Sequence, residues 1–160
     1  MMLPLLDGAS EQVLARCQGE VEQLMASTAS SRTTLRLEDA QGSFPVVAEA
    51  CGDGVRSLRG ETRIDLRAAA TFIALDRDRD ILVQEDLEHA DPAPPPLLVQ
   101  HYGARAQMLA PLVHRDRLVG IVSVHEANAP RRWSEQDVQA LIEATTAMAQ
   151  ALGADGRLQA

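Results

Sequence analysis

The sequence predicts an α+β fold in which a five- to six-stranded, mostly antiparallel sheet is flanked by the first and last helices of the chain. Helical periodicity opens and closes the chain, and five short runs between the two helices have the alternation or the continuous apolar character of strands. Two pairs of these runs are joined by connections too short for parallel pairing. At 160 residues the chain has the length of one domain, so we expect a single domain over residues 1–160.

The first element is a helix predicted over residues 10–28. Its seam positions recur at alternating spacings of three and four residues, and they are Leu14, Cys17, Val21, Leu24 and Thr28. Such a narrow seam is typical of helices that pair with another helix.

Two strands are predicted next, SRTTLRLED at 31–39 and FPVVAEAC at 44–51. The short loop between them contains a glycine and requires antiparallel pairing. Side chains alternate between the faces of a strand, so Arg32, Thr34 and Arg36 share one face of the first strand.

The middle of the chain is predicted to contain only short elements separated by loops. A helix is expected over residues 66–75, with Asp65 as its N-cap, and a third short strand over 80–86. Four of the six residues at 91–96 are proline, which predicts a stiff surface loop without regular structure. A helical turn or two follows at 97–103.

The last two strands are predicted at 106–114 and 117–127, joined as a hairpin. The second of them is almost wholly apolar, which favours a central position covered on both faces. We therefore expect the sheet and any pocket over it to occupy residues 31–127.

The final helix is predicted over residues 134–152. Ser134 and Asp137 have the spacing of a capping box, and Trp133 before the cap is positioned to pack on Val138 as a hydrophobic staple. Both signals place the start of the helix at the same residue.

Composition excludes several classes of function. The net charge of −8 argues against a general affinity for nucleic acid or for an anionic membrane. No apolar run approaches the ~18 residues of a membrane span, and the first ten residues lack the features of a signal peptide, so we expect a cytoplasmic protein. Cys17 and Cys51 form no CxxC pair, so we expect reduced thiols and no metal site.

The segment GARAQMLAPLVHRDRLVGIVSVHEANAPRRWSEQD resembles the closing half of a GAF domain. In that family a strand ending in a Pro-Leu pair turns into a second strand of the form LVGvlsvh. Here these are Pro111 and Leu112, followed by residues 118–125. A Trp-Ser or Phe-Ser pair opens the final helix of the family, and Trp133 and Ser134 match it.

The resemblance extends over nearly the whole chain, because QEDL at 84–87 and the opening helix also match. It implies the strand order 2-1-5-4-3. It also implies that the two terminal helices pack on one sheet face and commonly dimerise, while the other face closes over a small molecule.

The resemblance also implies which way the face of the first strand that carries the two arginines points. If Leu35 and Leu37 meet the terminal helices, then Arg32, Thr34 and Arg36 face the pocket side. An arginine presents a planar fork of donors that suits a carboxylate or a phosphate, and it stays charged when partly buried.

On the fifth strand, alternation predicts that Val119, Ile121, Ser123 and His125 share one face. His125 also matches a histidine that lines the chromophore pocket in bilin-binding GAF domains. The candidate ligand-binding residues are Arg36, Thr34, Ser123 and His125, with Arg32 near the edge.

A purely structural interpretation stays open for these residues. Arg36 would then pair with a protein carboxylate such as Glu49 or Asp86, and Arg32 would be exposed at a strand end. His125 would be a hydrogen-bonded structural residue.

Other chemistries fit the sequence poorly. The DRDRD run at 76–80 lacks the glycine and glutamate of a calcium loop. The motifs of covalent bilin attachment and of cyclic-nucleotide binding are not recognisable. A haem or iron site held by a single axial histidine stays open, but no feature of the sequence favours it. A GAF-like free methionine sulfoxide reductase uses several clustered cysteines, whereas only Cys51 is within plausible reach of the sheet.

We therefore expect a non-enzymatic sensor without a cofactor, which binds a small, anionic metabolite and forms a homodimer through its terminal helices. No DNA-binding or kinase segment accompanies it, so its output passes through a separate regulator or effector protein, or the chain is a piece of a longer regulator. The alternatives are an interaction module without a ligand and a thiol-based redox enzyme.

Overall fold

The structure is a computed structural model that describes residues 8–154. The helices are α1 (Glu11–Thr28), α2 (Ala70–Asp78), α3 (Pro96–Gln100) and α4 (Glu135–Leu152). The strands are β1 (Arg32–Leu37), β2 (Val46–Cys51), β3 (Leu82–Gln84), β4 (Ala104–His114) and β5 (Arg117–Ala127). The ends of the predicted domain 1–160, including most of the segment examined for a signal peptide, lie outside the described residues, and the single domain stays a prediction.

The sheet confirms the predicted topology. Its order is β2-β1-β5-β4-β3, every pairing is antiparallel, and residues 8–154 contribute five strands to it. The β4–β5 hairpin turns at Arg115 and Asp116, with φ angles of 50° and 64°. Two successive residues with positive φ match the right-handed twist of the flanking strands, which is why this two-residue turn closes the hairpin.

The larger apolar core lies between one face of the sheet and helices α1 and α4. Leu35 and Leu37 of β1 point into it and are fully buried, as their alternation predicts. Thr33, on the same face, donates a hydrogen bond from Oγ1 to the carbonyl of Val21 at 2.6 Å. We call this side of the sheet the helix face.

The start of α4 is built as its sequence predicts. The Ser134 hydroxyl accepts from the Asp137 amide, and the Asp137 carboxylate accepts from the Ser134 amide. Trp133 belongs to the same core as Val138, and its indole Nε1 donates to the backbone carbonyl of Gln84 at 3.2 Å. The first turn of α4 is therefore tied to the end of β3.

Two local predictions are wrong. Asp65 makes no side-chain cap, because a 3-10 turn at Leu66–Ala68 precedes α2, whose N-cap is Ala69. The proline run is not wholly irregular, since Pro96 is the first residue of α3. Proline is tolerated there because the first amides of a helix have no intrahelical partner.

A third correction concerns β5. The β4–β5 register shifts between Leu112 and Val113, and this irregularity interrupts the alternation of β5. Val119 therefore packs into the helix-face core, while Leu118 joins Ile121 on the opposite face. Strict alternation had placed Val119 with Ile121, because it takes no account of a bulge, which Gly120 beside Val119 marks in the sequence.

Candidate functional site

A row of polar side chains crosses the sheet on the face opposite the helices, one residue from each strand. Its members are register partners in strand order, and they are Cys51, Arg32, His125, Gln107 and Gln84. We call these five residues the polar row. Four of them are buried, and Cys51 is half-buried.

Arg32 is fully buried, at 0% exposure, so the expectation that it lies exposed at a strand end is wrong. Its Nε donates to Nδ1 of His125 at 3.0 Å, and its Nη1 donates to the carbonyls of Arg56 at 2.6 Å and Tyr102 at 3.3 Å. Within residues 8–154 the Nη2 atom has no partner. Burial lowers the pKa of Arg32, because removal from water disfavours the charged guanidinium, and the nearby Cys51 and Glu49 offset this only in part.

The contact with Arg32 fixes the state of His125. Because a guanidinium only donates, Nδ1 of His125 accepts, and the proton of the neutral ring lies on Nε2. Burial, followed by the nearby charges of Arg32 and Arg36, holds the pKa of His125 well below its ordinary value of 6.5. His125 is therefore a neutral donor through Nε2 at physiological pH.

Arg36 is a cation without a carboxylate partner within residues 8–154. Its Nη1 donates to the carbonyl of Phe44 at 2.7 Å. Burial lowers its pKa to about 10, although the nearby charges of Glu61 and Glu49 oppose the shift. The predicted partners are engaged elsewhere: Glu49 accepts from the amide of Leu58 at 2.7 Å, and Asp86 contacts His89. The expectation that Arg36 pairs with either carboxylate is wrong.

A cavity of about 40 Å³ lies over this face of the sheet. Three predicted site residues, Arg36, Ser123 and His125, form part of its wall. Thr34 and Arg32 lie behind the wall, where Thr34 hydrogen-bonds to the Ser123 hydroxyl and Arg32 holds His125. Which of the five contact a ligand stays a prediction. The remaining wall is mostly apolar and comprises Leu58, Ile64, Leu66, Thr71, Phe72, Leu75, Pro95, Leu98, Gln107, Leu109 and Ile121.

Arg36 also lines a larger surface cleft of about 560 Å³ next to the cavity. Arg67 lies on the other side of this cleft. Its guanidinium lies over the rings of Phe44 and Phe72 at 5.1 and 5.6 Å, and it pairs with Glu38. Arg36 thus stands where the inner cavity meets the outer cleft.

Gln107 is the wall residue of most consequence that the sequence interpretation missed. It is 1% exposed, and its Oε1 is buried without a partner. A glutamine inside the otherwise apolar strand sequence AQMLAPLVH is the signal that identifies it, because an amide in a buried strand requires partners.

The cysteines are not arranged for thiol chemistry. Cys17 lies in the helix-face core, and Cys51 lies at the end of the polar row. Burial raises the pKa of both thiols, with smaller contributions from Glu20 at Cys17 and Glu49 at Cys51. Thiols with raised pKa values are poor nucleophiles at neutral pH.

Two further features were sought within residues 8–154. No three side chains of His, Cys, Asp or Glu cluster in a way that would hold a metal ion. No helix there combines the length and the apolar character that a membrane span requires.

A protein-family model described as GAF domain matches residues 12–152. Solved structures with the same fold include the blue-light-absorbing form of the Thermosynechococcus elongatus PixJ GAF domain, with a TM-score of 0.73, 22% identity and coverage of 89% of this chain and 86% of that one. A cyanobacteriochrome receptor PixJ structure matches with a TM-score of 0.72 and 22% sequence identity, and the match covers 88% of this chain and 95% of that one.

The chromophore-binding domain of a bacteriophytochrome from R. palustris gives a TM-score of 0.70 at 21% identity, over 92% of this chain and 57% of that one. No curated protein matches the sequence. At these identities the likeness to the solved structures concerns the fold.

Proposed function

The chain belongs to the GAF domain family, and we propose that it is a regulatory domain that senses a small, anionic metabolite. Domains of this family are generally sensory or regulatory and bind small molecules or chromophores. The proposed site is the cavity at Arg36, Ser123 and His125, and the proposed role involves no catalysis.

The observation that carries this proposal is Arg36. A charge withdrawn from water is costly unless a countercharge or hydrogen bonds compensate it. Arg36 lines the cavity, has one carbonyl as an acceptor and forms no ion pair with a carboxylate within the described residues, although Glu61 and Glu49 favour its charged form from a longer distance. A bound carboxylate or phosphate would supply a direct countercharge through a bidentate contact.

The volume of the cavity supports a small ligand. About 40 Å³ has room for roughly three water molecules, so it suits a molecule of a few heavy atoms better than a tetrapyrrole. A longer ligand would extend past Arg36 into the outer cleft. The apolar wall, with Phe72 and Leu98, favours a short hydrocarbon body behind the anionic group.

We propose that the output passes through the terminal helices. The polar row ends at Gln84, whose backbone carbonyl holds Trp133 at the start of α4. A ligand that moves the β3 end of the row would bias the position of α4 against α1, with which α4 packs. We further propose that the chain dimerises through these helices and that a separate regulator or effector protein receives the signal.

The test is a thermal-shift screen of the purified chain against small carboxylates, phosphates, nucleotides and aromatic acids, repeated on Arg36→Met. A ligand that binds only the folded state raises the melting temperature by mass action. We expect one class of small carboxylate or phosphate to stabilise the wild type and to have no effect on Arg36→Met. Arg77→Met is the matched control, because it removes the same charge from an exposed side chain that does not line the cavity.

Two results would contradict the proposal. An affinity that is unchanged in Arg36→Met would remove Arg36 from the site. Failure of every anion to stabilise the wild type, together with a stable dimer in sedimentation, would favour an interaction module whose cavity is largely filled by its own side chains. The small volume of the cavity is the observation that supports this second candidate.

A further inference from the structure

The hydrogen bonds at the β3 end of the polar row run in one direction. The carbonyl of Pro92 can only accept, so the amide nitrogen of Gln84 donates to it at 2.6 Å. The Gln84 Oε1 atom therefore faces Gln107 and accepts from its Nε2 at 2.8 Å. This sequence of bonds leaves Oε1 of Gln107 as an acceptor without a donor.

The hydrogen bonds at the β1 side of the row run in the opposite direction. Arg32 can only donate, so His125 accepts at Nδ1 and keeps its proton on Nε2. His125 and Gln107 are register partners on adjacent strands, and both form part of the cavity wall. The middle of the row thus holds a donor, Nε2 of His125, and an unsatisfied acceptor, Oε1 of Gln107, on adjacent strands beside the cavity.

A hydroxyl group satisfies both atoms at once, because it accepts one hydrogen bond and donates another. A carboxylate does not, because it has no proton to give to Gln107, and an ammonium does not, because it cannot accept from His125. The chemistry required here differs from that required at Arg36, which calls for an anion.

The two requirements are separated along the sheet. Arg36 pairs with Ile121, four residues before His125 on β5. At about 3.3 Å per residue, the two backbone positions are ~13 Å apart, and the length of the arginine side chain shortens the gap. A molecule with polar groups at its two ends spans such a distance when its anionic end lies at Arg36, where the cavity meets the outer cleft.

Resting on the proposed function, we propose that the ligand is a short hydroxy acid, with its carboxylate at Arg36 and its hydroxyl between His125 Nε2 and Gln107 Oε1. The apolar wall residues between these ends surround the hydrocarbon part. Leaving a buried acceptor unpaired is costly, so the site should bind a hydroxy acid more tightly than an analogue that has no proton to donate to Gln107.

The test is isothermal titration of the wild type with three series of unbranched acids of three to six carbons: the plain acid, the ω-hydroxy acid and the ω-fluoro acid. Fluorine matches the hydroxyl closely in size but has no proton to donate. At the best chain length we expect the hydroxy acid to bind roughly ten- to 100-fold more tightly than either analogue. In Gln107→Met this preference falls below about threefold.

The outcomes separate the two proposals. If the plain and hydroxy acids bind equally well, and Arg36→Met abolishes both, a buried water satisfies His125 and Gln107, and the hydroxy-acid inference is wrong while the sensor proposal stands. If no acid of any series binds, the hydroxy-acid inference is wrong, and the sensor proposal is then decided by the phosphates, nucleotides and aromatic acids of the thermal-shift screen. The fluoro series keeps the inference testable even if Gln107→Met does not fold, because it changes only the ligand.

Discussion

The two faces of the sheet are formed by alternate residues of the same strands, yet they are built on different physical principles. On the helix face, Leu35 and Leu37 pack against α1 and α4 in a continuous apolar core. On the other face, Arg32 is fully buried and Arg36 is half-buried, and neither forms an ion pair within the described residues.

This difference separates stability from recognition. Burial of apolar area contributes to folding wherever side chains pack well, and it needs no partner outside the chain. Buried cations and unpaired amide oxygens reduce the stability of the free protein, and a ligand that satisfies them recovers that cost as binding free energy. Substitutions on the two faces should therefore have different, and in one case opposite, effects on stability.

The largest effect is expected on the helix face. Leu35→Ala removes a fully buried side chain from the core and should lower the free energy of unfolding by about 2 to 5 kcal/mol. Urea denaturation measures this loss. The affinity of the protein that remains folded for its anionic ligand should stay unchanged, although Leu35 precedes Arg36 in the chain.

Ile73→Ala is the control for this substitution. Ile73 is 54% exposed, so truncating it should change the stability little. A loss of ligand affinity in Leu35→Ala would show that packing on the helix face affects ligand binding on the opposite face, contrary to the prediction.

The second effect is a pH dependence that originates on the cavity face. In the unfolded chain His125 takes up a proton near pH 6.5, whereas in the folded protein its pKa lies well below that value. The unfolded state then binds more protons, so the free energy of unfolding falls as the pH drops below about 6.5 and is insensitive to this residue above it. The largest loss that this residue can cause between pH 7.5 and 5.5 is about 1.4 kcal/mol, reached if the folded form stays neutral throughout.

Urea denaturation of the wild type and of His125→Gln at the two pH values isolates this contribution. Glutamine offers an acceptor to Arg32 but does not titrate, so the variant should show a correspondingly smaller decrease. Equal decreases in both proteins would mean that His125 is protonated in the folded state.

The third effect has the opposite sign to the first. Arg36→Met replaces a partly buried cation with an apolar side chain of similar length, at the cost of one hydrogen bond to Phe44. Replacing buried charges with apolar side chains is often neutral or stabilising, and we expect a gain of about 1 kcal/mol in the free energy of unfolding. A clear loss in urea denaturation, with Arg77→Met unchanged, would show that Arg36 is structural.

Much of the fold was predictable because its signals are local or periodic. The capping box at Ser134 and Asp137, and the two-residue hairpin at Arg115 and Asp116, follow from short-range geometry that the sequence displays directly. The assignment of Leu35 to the helix face follows from strict alternation. The error at Val119 arose because alternation was carried across a register shift that the adjacent Gly120 marks.

The candidate site was less predictable, because it depends on contacts between residues far apart in the chain. Alternation and the family resemblance brought Arg36, Ser123 and His125 to one face, and the structure places all three at the cavity. The full burial of Arg32 depends on carbonyls of Arg56 and Tyr102, which approach from segments without regular spacing. No sequence period specifies such contacts.

The smallest effect distinguishes the faces through their two cysteines. Cys17 is fully buried in the helix-face core, whereas Cys51 is half-buried at the end of the polar row and donates only a weak hydrogen bond to the carbonyl of Val55. Cys51→Ser should therefore change the free energy of unfolding by less than about 0.5 kcal/mol. Iodoacetamide should modify Cys51 well before Cys17, because access to Cys17 requires the core to open.

Mass spectrometry of the alkylated protein measures both rates. Both thiols have raised pKa values, so alkylation should be slow at pH 7 and should accelerate with pH, because only the thiolate reacts. Leu35→Ala should speed the modification of Cys17 more than that of Cys51, because it weakens the core that protects Cys17. Two results together would favour a thiol-based redox enzyme over a sensor: rapid reaction of Cys51 at neutral pH, and a methionine sulfoxide reductase activity that Cys51→Ser abolishes.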